Sequence, residues 1–514
     1  MVENYYKGSK LLVLNFALGL GTFIQVLDSS IANVAIPYIA GNLSVSADEG
    51  TWVITSFSAS NAIVLPLTGW LSDYFGRVRL FVYSVVLFSF MSFLCGFSSS
   101  LAMLVFFRVL QGAVAGALIP LSQSLLVANS PPEKQGSVLG FWAMVVIVAP
   151  VVGPILGGYL TYEYSWPWIF YINIPIGAVS AAITWYLLKD RDTPIVRKPI
   201  DWTGLFLLSL GVACLQVMLD KGKDLDWFDS NWIVTLTVIT VVSLAYFIVW
   251  NLKSQYPIVD FSFFKDRNFV YGTFMITVGY LMFFGATVIT PLWLQTEQGY
   301  TSEWAGIAVA PNGVIPVLLS VYVGKNLYRF DLRAVVALSF LFFSISLFYQ
   351  ASFTTQVDLR TIMFTRLIQG FGVVIFFVPL VQLSLGNVPN EKFASASGLN
   401  NFIRILVGSG FGTSLTVYFW SRREIFHYNR IAEFITDYNP QVIQFYEHIK
   451  QYSPQITSEV IRRIIDQSLE QQSYMLSTND LIWLFAWIFL LMTPLSFLCK
   501  KVDRDKSKNS VAAE

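Results

Sequence analysis

"RVLQG" at residues 108–112 returns as "RLIQG" at residues 366–370. The copies lie 258 residues apart, and at that same offset Asn129, Pro131, Glu133, Lys134, Ser137 and Gly140 match Asn387, Pro389, Glu391, Lys392, Ser395 and Gly398. A chain that repeats over such a distance builds two related halves. Both copies lie in apolar runs expected to cross a bilayer in the same sense. The repeat is therefore parallel, its halves related by an axis along the membrane normal.

Composition agrees with a membrane setting. The 514 residues are 55% hydrophobic and only 13% charged, with a mean hydropathy of +0.59. A soluble chain of this size needs far more polar surface. Apolar runs bounded by charge, Gly or Pro predict fourteen membrane helices, near 11–36, 51–71, 78–97, 101–126, 137–160, 167–188, 201–220, 231–252, 269–294, 303–324, 333–350, 360–385, 396–419 and 480–499. Six helices per half leave the seventh and eighth as an inserted pair. The expected fold is thus an all-α polytopic membrane protein. Residues 1–188 form one six-helix bundle, 189–260 a linker holding the inserted pair, and 261–514 the second bundle, with a long outer loop at 421–479.

Most of the 33 Lys and Arg residues fall in alternate short loops and in the two tails, while the opposite short loops hold only Lys221, Lys223 and Arg360. That bias predicts both termini on the cytoplasmic side and an even helix count. The first apolar run is longer than a signal-peptide core and has no clear cleavage site, so it is expected to be retained as a helix. Cys95, Cys214 and Cys499 all fall in apolar segments and read as buried thiols rather than a disulfide framework. No P-loop pattern, no HExxH motif and only two histidines, His427 and His448, argue against an ATP-driven pump, a membrane enzyme or a metal site. No basic tract interleaved with aromatics suggests nucleic acid.

Four charges fall within the expected spans: Asp28, Arg108, Arg366 and Arg404. Ionisable groups at membrane depth are costly and mark function by default. Asp28 precedes Pro37 on a helix running outward, and Arg108 follows Ser100 on one running inward. Both lie roughly 12 to 13 Å below the outer face and can meet. Burial penalises a carboxylate's charged form and a neighbouring guanidinium favours it, so a small change in either moves a proton. Asp28 is expected to carry the coupled proton with Arg108 as its modulator; a static ion pair that fixes packing is the plainer alternative. The ninth helix offers no acid to Arg366, which is expected to cap backbone carbonyls or to meet substrate or lipid. Arg404 reads as packing. Gln25, Asn33, Asn61, Gln123 and Gln382, together with Arg366, are candidates for lining a central cavity.

Two loop and helix motifs remain. "GWLSDYFGRVRL" at 69–80 joins the second and third helices; its Gly69 and Gly76 permit a tight turn, and Asp73, Arg77 and Arg79 can bridge helix ends as a cytoplasmic gate. "VAPVVGPILGGYL" at 148–160 gathers Pro150, Gly153, Pro154, Gly157 and Gly158, which suggests a close, kinked interface between the halves. In the outer loop, "PQVIQFYEHIKQY" and "SEVIRRIIDQSLEQQ" show helical spacing, which predicts two amphipathic helices outside the membrane, either a cap on the lipid surface or a docking surface for a partner.

Taken together these stretches resemble the major facilitator superfamily and, within it, the fourteen-helix drug:proton antiporters. "GWLSDYFGRVRL" resembles the family's loop motif, although Val78 stands where a basic residue is frequent. "FFRVLQGAVAG" resembles the fourth-helix motif, "VAPVVGPILGGYL" the antiporter motif, and "LDSSIANVAIP" the first-helix motif of the fourteen-helix branch. The resemblance covers nearly the whole chain. It implies export of hydrophobic, chemically diverse drugs across a bacterial inner membrane, driven by the proton motive force without a further cofactor. It also implies a periplasmic adaptor and an outer-membrane channel as partners. Proton-coupled symport of a defined small solute is the competing expectation, and the fifth-helix motif speaks against it.

Overall fold

The computed structural model describes residues 5–501 apart from 46, 197–198, 223–224, 437 and 453–454. Its described residues are helical with no strand. Each of the fourteen expected spans coincides with a helix or a run of consecutive helices. Eleven are long and apolar enough to cross a membrane; the segments at 52–75, 135–163 and 302–326 fall outside that count. Large apolar side chains face outward along the spans, among them Phe90, Val241 and Leu318. In water such a surface would drive aggregation; against lipid it costs nothing.

Local sequence sets the helix ends. Ser100, Asp201, Asp266, Thr301 and Asp331 each accept a hydrogen bond from a backbone N–H in the first turn of the helix they precede, which satisfies a donor that the helix leaves open. Pro66 lies in a short 3-10 turn, Leu65–Leu67, that interrupts the α-helix of the second span. Arg404–Phe411 is a π-helix, a wider turn that is rare and recurs at functional sites.

The packing scheme repeats with the sequence. Ser9–Leu43 lies along Gln135–Glu163, and its counterpart Arg267–Thr296 lies along Arg404–Phe411. Trp52–Val64 packs on Leu101–Ala115 as Pro311–Asn326 packs on Leu359–Val374, and Arg77–Gly96 packs on Asn173–Leu188 as Leu332–Gln350 packs on Ser458–Leu495. The two sets meet through Gln135–Glu163 against Pro311–Asn326 and through Leu118–Asn129 against Phe393–Ile403. Trp202–Lys221 carries Asn231–Lys253 on its outside and docks on Trp52–Val64, where Thr55 donates to Asp220 at 2.5 Å.

The outer segment corrects the expectation of two separate amphipathic helices. Gly412–Ala432 and Ser458–Leu495 are continuous with the last two spans and run past them as a packed pair. Arg423 and His427 both pair with Asp480, and Tyr428 donates to Asp466 at 2.5 Å. Among the described residues of this segment only Pro440–Tyr452, at the tip, is a separate amphipathic helix. The apolar spacing at 460–469 instead serves the contact between the two extensions: Ile461 and Leu469 are buried.

Candidate functional site

Gly112, at the end of the repeated pentapeptide, explains how the central polar cluster is assembled. A Cβ there would stand 2.3 Å from the Phe57 carbonyl oxygen and 2.2 Å from Ser60 Oγ, so only glycine lets Leu101–Ala115 lie this close to Trp52–Val64. That approach brings the Val53 carbonyl within 2.9 Å of Arg108 Nε. One turn along the same face, Gln111 joins the arginine.

Asp28 and Arg108 are fully buried and paired through Oδ2 and Nη1. Arg108 Nη1 also donates to Gln111 Oε1 at 2.7 Å, and Gln111 Nε2 donates to Asp28 Oδ1 at 3.2 Å. Asn173 Nδ2 reaches the same Oδ1 at 3.0 Å and Ser92 Oγ at 3.0 Å. Phe57 covers the guanidinium at 4.2 Å and Phe170 at 5.5 Å. Low dielectric strengthens each of these bonds and makes the loss of any partner expensive. Arg108 Nη2 and Asn173 Oδ1 remain buried with no hydrogen-bond partner among the described residues. Sequence reasoning missed Asn173 and Ser92. It quoted Gln111 without assigning it a task, although its position three residues after Arg108, repeated by Gln369 after Arg366, was the available signal.

The second half preserves this cluster without its acid. At the repeat offset Asp28 corresponds to Ala286, Ser92 to Gln350, Arg108 to Arg366 and Gln111 to Gln369. Arg366 donates to Gln369 Oε1 at 2.5 Å, to Gln350 Oε1 at 2.9 Å and to the hydroxyl of Thr290, one turn from Ala286. These acceptors are side chains, which corrects the expectation that Arg366 caps backbone carbonyls. Arg366 Nε is buried without a partner among the described residues. Gln123 accepts from Ser397 at 2.7 Å and Asn401 at 3.4 Å across the halves, and Gln382 lies beside Gly136. Gln25 and Asn61 are buried, with Gln25 Oε1 and Asn61 Nδ2 unpartnered among the described residues. The side chains of Asn33, Pro150 and Pro154 lie outside the described residues.

The 69–80 motif sits where the two sets of helices are pressed together. A Cβ on Gly69 would meet Ser395 at 2.6 Å, and Arg77 Nη2 donates to the Glu391 carbonyl at 2.5 Å. Gly76 has φ +84°, a left-handed conformation that favours glycine. Glycine cannot cap the helix that follows, so Asp192 does so from the linker: it accepts from Val78 N at 2.9 Å and Arg79 N at 3.3 Å, with Arg79 Nε at 3.5 Å. Sequence reasoning gave the bridging role to Asp73 with Arg77 and Arg79; Asp73 interacts electrostatically with Arg77, and its backbone carbonyl accepts from Val196 N at 2.8 Å, but Asp192 was overlooked. At the same face Lys392 bonds Asp260 at 2.9 Å. Burial would raise the Asp260 carboxyl, but hydrogen bonds from Ser262 and Lys392 outweigh it and hold the group below the usual carboxylate range. Substituting Gly76 by Val, which disfavours this φ and drives into Asp192, is expected to cost about 1–3 kcal/mol. A thermal-unfolding midpoint measured in detergent would reveal it, and an unchanged midpoint would refute the account.

The glycines at 153 and 157 face inward. A Cβ on Gly153 would meet Ser30 Oγ at 2.6 Å and one on Gly157 would meet Ile31 Cγ1 at 2.9 Å, so they seat the first helix, while Gly158 has nothing within 4 Å. The interface between the halves expected of this motif lies two turns or more earlier on the same helix. A Cβ on Gly136 would stand 2.7 Å from the Gly324 carbonyl oxygen, one on Gly324 2.4 Å from the Gly136 oxygen, and one on Gly140 2.6 Å from the Ser320 oxygen.

This architecture has a known family. The family model described as Major Facilitator Superfamily matches residues 18–413, and the chain belongs to that superfamily: it is a multi-pass membrane transporter and not an enzyme. It is 46% identical over 495 residues to the multidrug export protein EmrB of Escherichia coli K12, covering 96% of each chain. It is 45% identical over 494 residues to the fatty acid resistance protein FarB of Neisseria gonorrhoeae, covering 96% of this chain and 97% of that one. The human organic anion transporter MFSD10 shares the fold, with a TM-score of 0.58 at 12% identity over 95% of this chain and 100% of that chain.

Proposed function

We propose that this protein exports hydrophobic and amphipathic toxic compounds in exchange for protons, as a multidrug efflux pump of a bacterial inner membrane with both termini in the cytoplasm. The observation that carries the reading is the fully buried Asp28–Arg108 pair, held by Gln111 and Asn173. Asp28 takes the proton and Arg108 sets how readily it is held. The unsatisfied Arg108 Nη2 and Asn173 Oδ1 are places where water can enter the path. The names of the similar proteins, multidrug export and fatty acid resistance, support apolar and amphipathic drugs as the substrate class.

Residues 1–188 and 261–514 act as the two bundles that rock, with 189–260 as the inserted linker. The contacts of Gly69, Arg77, Gly136 and Gly324 form the cytoplasmic gate, closed in this state, and Gln25, Asn61, Gln123 and Gln382 face the substrate path, for which Asn33 is a further candidate. Gly153 and Gly157, from the motif that also holds Pro150, Pro154 and Gly158, keep the first helix and its carboxylate in register. Everted vesicles decide the direction of transport: an imposed proton gradient should drive a hydrophobic dye into them, and collapsing the gradient should release it. Dye expulsion under the same gradient would favour symport.

A periplasmic adaptor (EmrA-like) and an outer-membrane channel (TolC-like) would receive the substrate. The projecting pair of helices and its tip at Pro440–Tyr452 are the adaptor surface in this reading. Replacing residues 436–457 by a short Gly-Ser turn is expected to leave dye uptake into everted vesicles within about twofold of wild type, because Arg423, His427 and Asp480 still lock the pair. Whole-cell resistance is expected to fall to the level of a strain lacking the protein. Full resistance would remove the docking assignment.

A further inference from the structure

Three arginines lie buried within the spans, and their surroundings differ in one respect. Arg108 has a carboxylate. Arg366 has three neutral side-chain acceptors for its Nη atoms, although its Nε is buried without one among the described residues. Arg404 is 7% exposed, yet its one hydrogen-bond acceptor among the described residues is Asn401 Oδ1, at 2.5 Å from Nη2. Nε is buried without a partner, and the remaining contact is the Tyr280 ring, 4.9 Å from the guanidinium carbon. A guanidinium carries five N–H donors, and leaving them unmet at membrane depth is costly.

Position separates Arg404 from a packing residue. It opens the π-helix Arg404–Phe411, which is pressed on Arg267–Thr296: a Cβ on Gly408 would stand 3.0 Å from Tyr280 Cβ and 3.1 Å from the Thr277 carbonyl oxygen. Its acceptor Asn401 donates to Gln123 of the other half at 3.4 Å, so the cation borders the seam between the halves. Thr277 Oγ1, on the helix that carries Tyr280, is likewise buried and unpartnered.

We propose that Arg404 is the anchor for the anionic head of amphipathic substrates, a carboxylate held by the guanidinium with its apolar tail among the aromatic side chains nearby. This assignment rests on the export reading and adds a substrate charge class to it. A carboxylate matches the planar donor fork in a way that neutral acceptors cannot, and it supplies the missing charge. Binding there also competes with Asn401 for the same nitrogen, which links loading of the site to the contact with Gln123.

The test uses three probes with one dodecyl tail, dodecanoate, dodecanol and dodecyltrimethylammonium, binding to the purified full-length protein. Wild type is expected to bind dodecanoate at least tenfold more tightly than the other two. Arg404→Gln should lose that preference, leaving the other two affinities within twofold, while Arg404→Lys keeps part of it. Equal affinities in wild type, an Arg404→Gln protein that retains the preference, or displacement of dodecanoate by phosphatidylglycerol vesicles, which would assign the site to lipid, would each overturn the proposal. The wild-type comparison stands even where Arg404→Gln fails to fold. Proton-driven uptake of a neutral dye into everted vesicles separates the two readings: its persistence in Arg404→Gln with dodecanoate selectivity gone supports both, whereas its absence in wild type removes the export reading on which this one depends.

Discussion

Asp28→Asn is expected to abolish proton-driven transport and to destabilise the protein by about 3–5 kcal/mol, because it strands the Arg108 guanidinium in a site with no exposure. Folding and coupling must therefore be separated. Asp28→Asn combined with Arg108→Met removes both charges, and with them the uncompensated buried cation that makes the single variant costly. The double variant should recover the thermal midpoint of wild type while substrate-induced proton release stays at background. If instead the double variant releases protons on substrate addition, Asp28 is a packing ion pair and the coupling scheme is wrong. A milder result is expected for Asn173→Ala. It removes one donor to Oδ1 and leaves Gln111 and Arg108 in place, so it should shift the pH profile of transport without ending it.

Gly324→Val is expected to lower transport at least tenfold by a different route. The two bundles cross here backbone to backbone, and a side chain on Gly324 would have to occupy the Gly136 carbonyl. Close-packed interiors do not yield continuously, so the crossing opens rather than adjusts. A Ser395→Cys reporter, beside Gly69 at the same face, should then react with a soluble maleimide several-fold faster than in the parent. Gly306→Ala serves as the control, since nothing lies within 4 Å of its Cβ position. Transport and labelling both unchanged in Gly324→Val would show that this crossing does not gate the path.

Much of the fold was legible because bilayer solvation imposes it: apolar runs of fixed length leave few alternatives to helices, and the repeat at 108 and 366 dictated two similar sets. The meeting of Asp28 and Arg108 could be read from their depths on antiparallel helices. What could not be read were contacts made across the sequence by residues with no local signature. Asp192 looks like any loop acid until Gly76, which cannot cap, is seen below it. Asn173 is one amide in an aromatic stretch. The glycines of 153–158 announced close approach but not to what, since a helix's hydropathy does not say which neighbour each face meets. The outer segment was misjudged because amphipathic spacing at 460–469 fits a helix on lipid as well as one lying on a second helix.

Ser458–Leu495 runs from the projecting pair into the last membrane span without a break. Its 38 residues span about 57 Å, nearly twice the apolar thickness of a bilayer. Whatever tilts its inner end therefore swings its outer end: a rotation of roughly 10° about the membrane surface displaces a tip some 25 Å away by about 4 Å. A partner gripping that tip would feel each turnover as a mechanical stroke, and the cross-links at Asp480 keep the paired shaft from absorbing it.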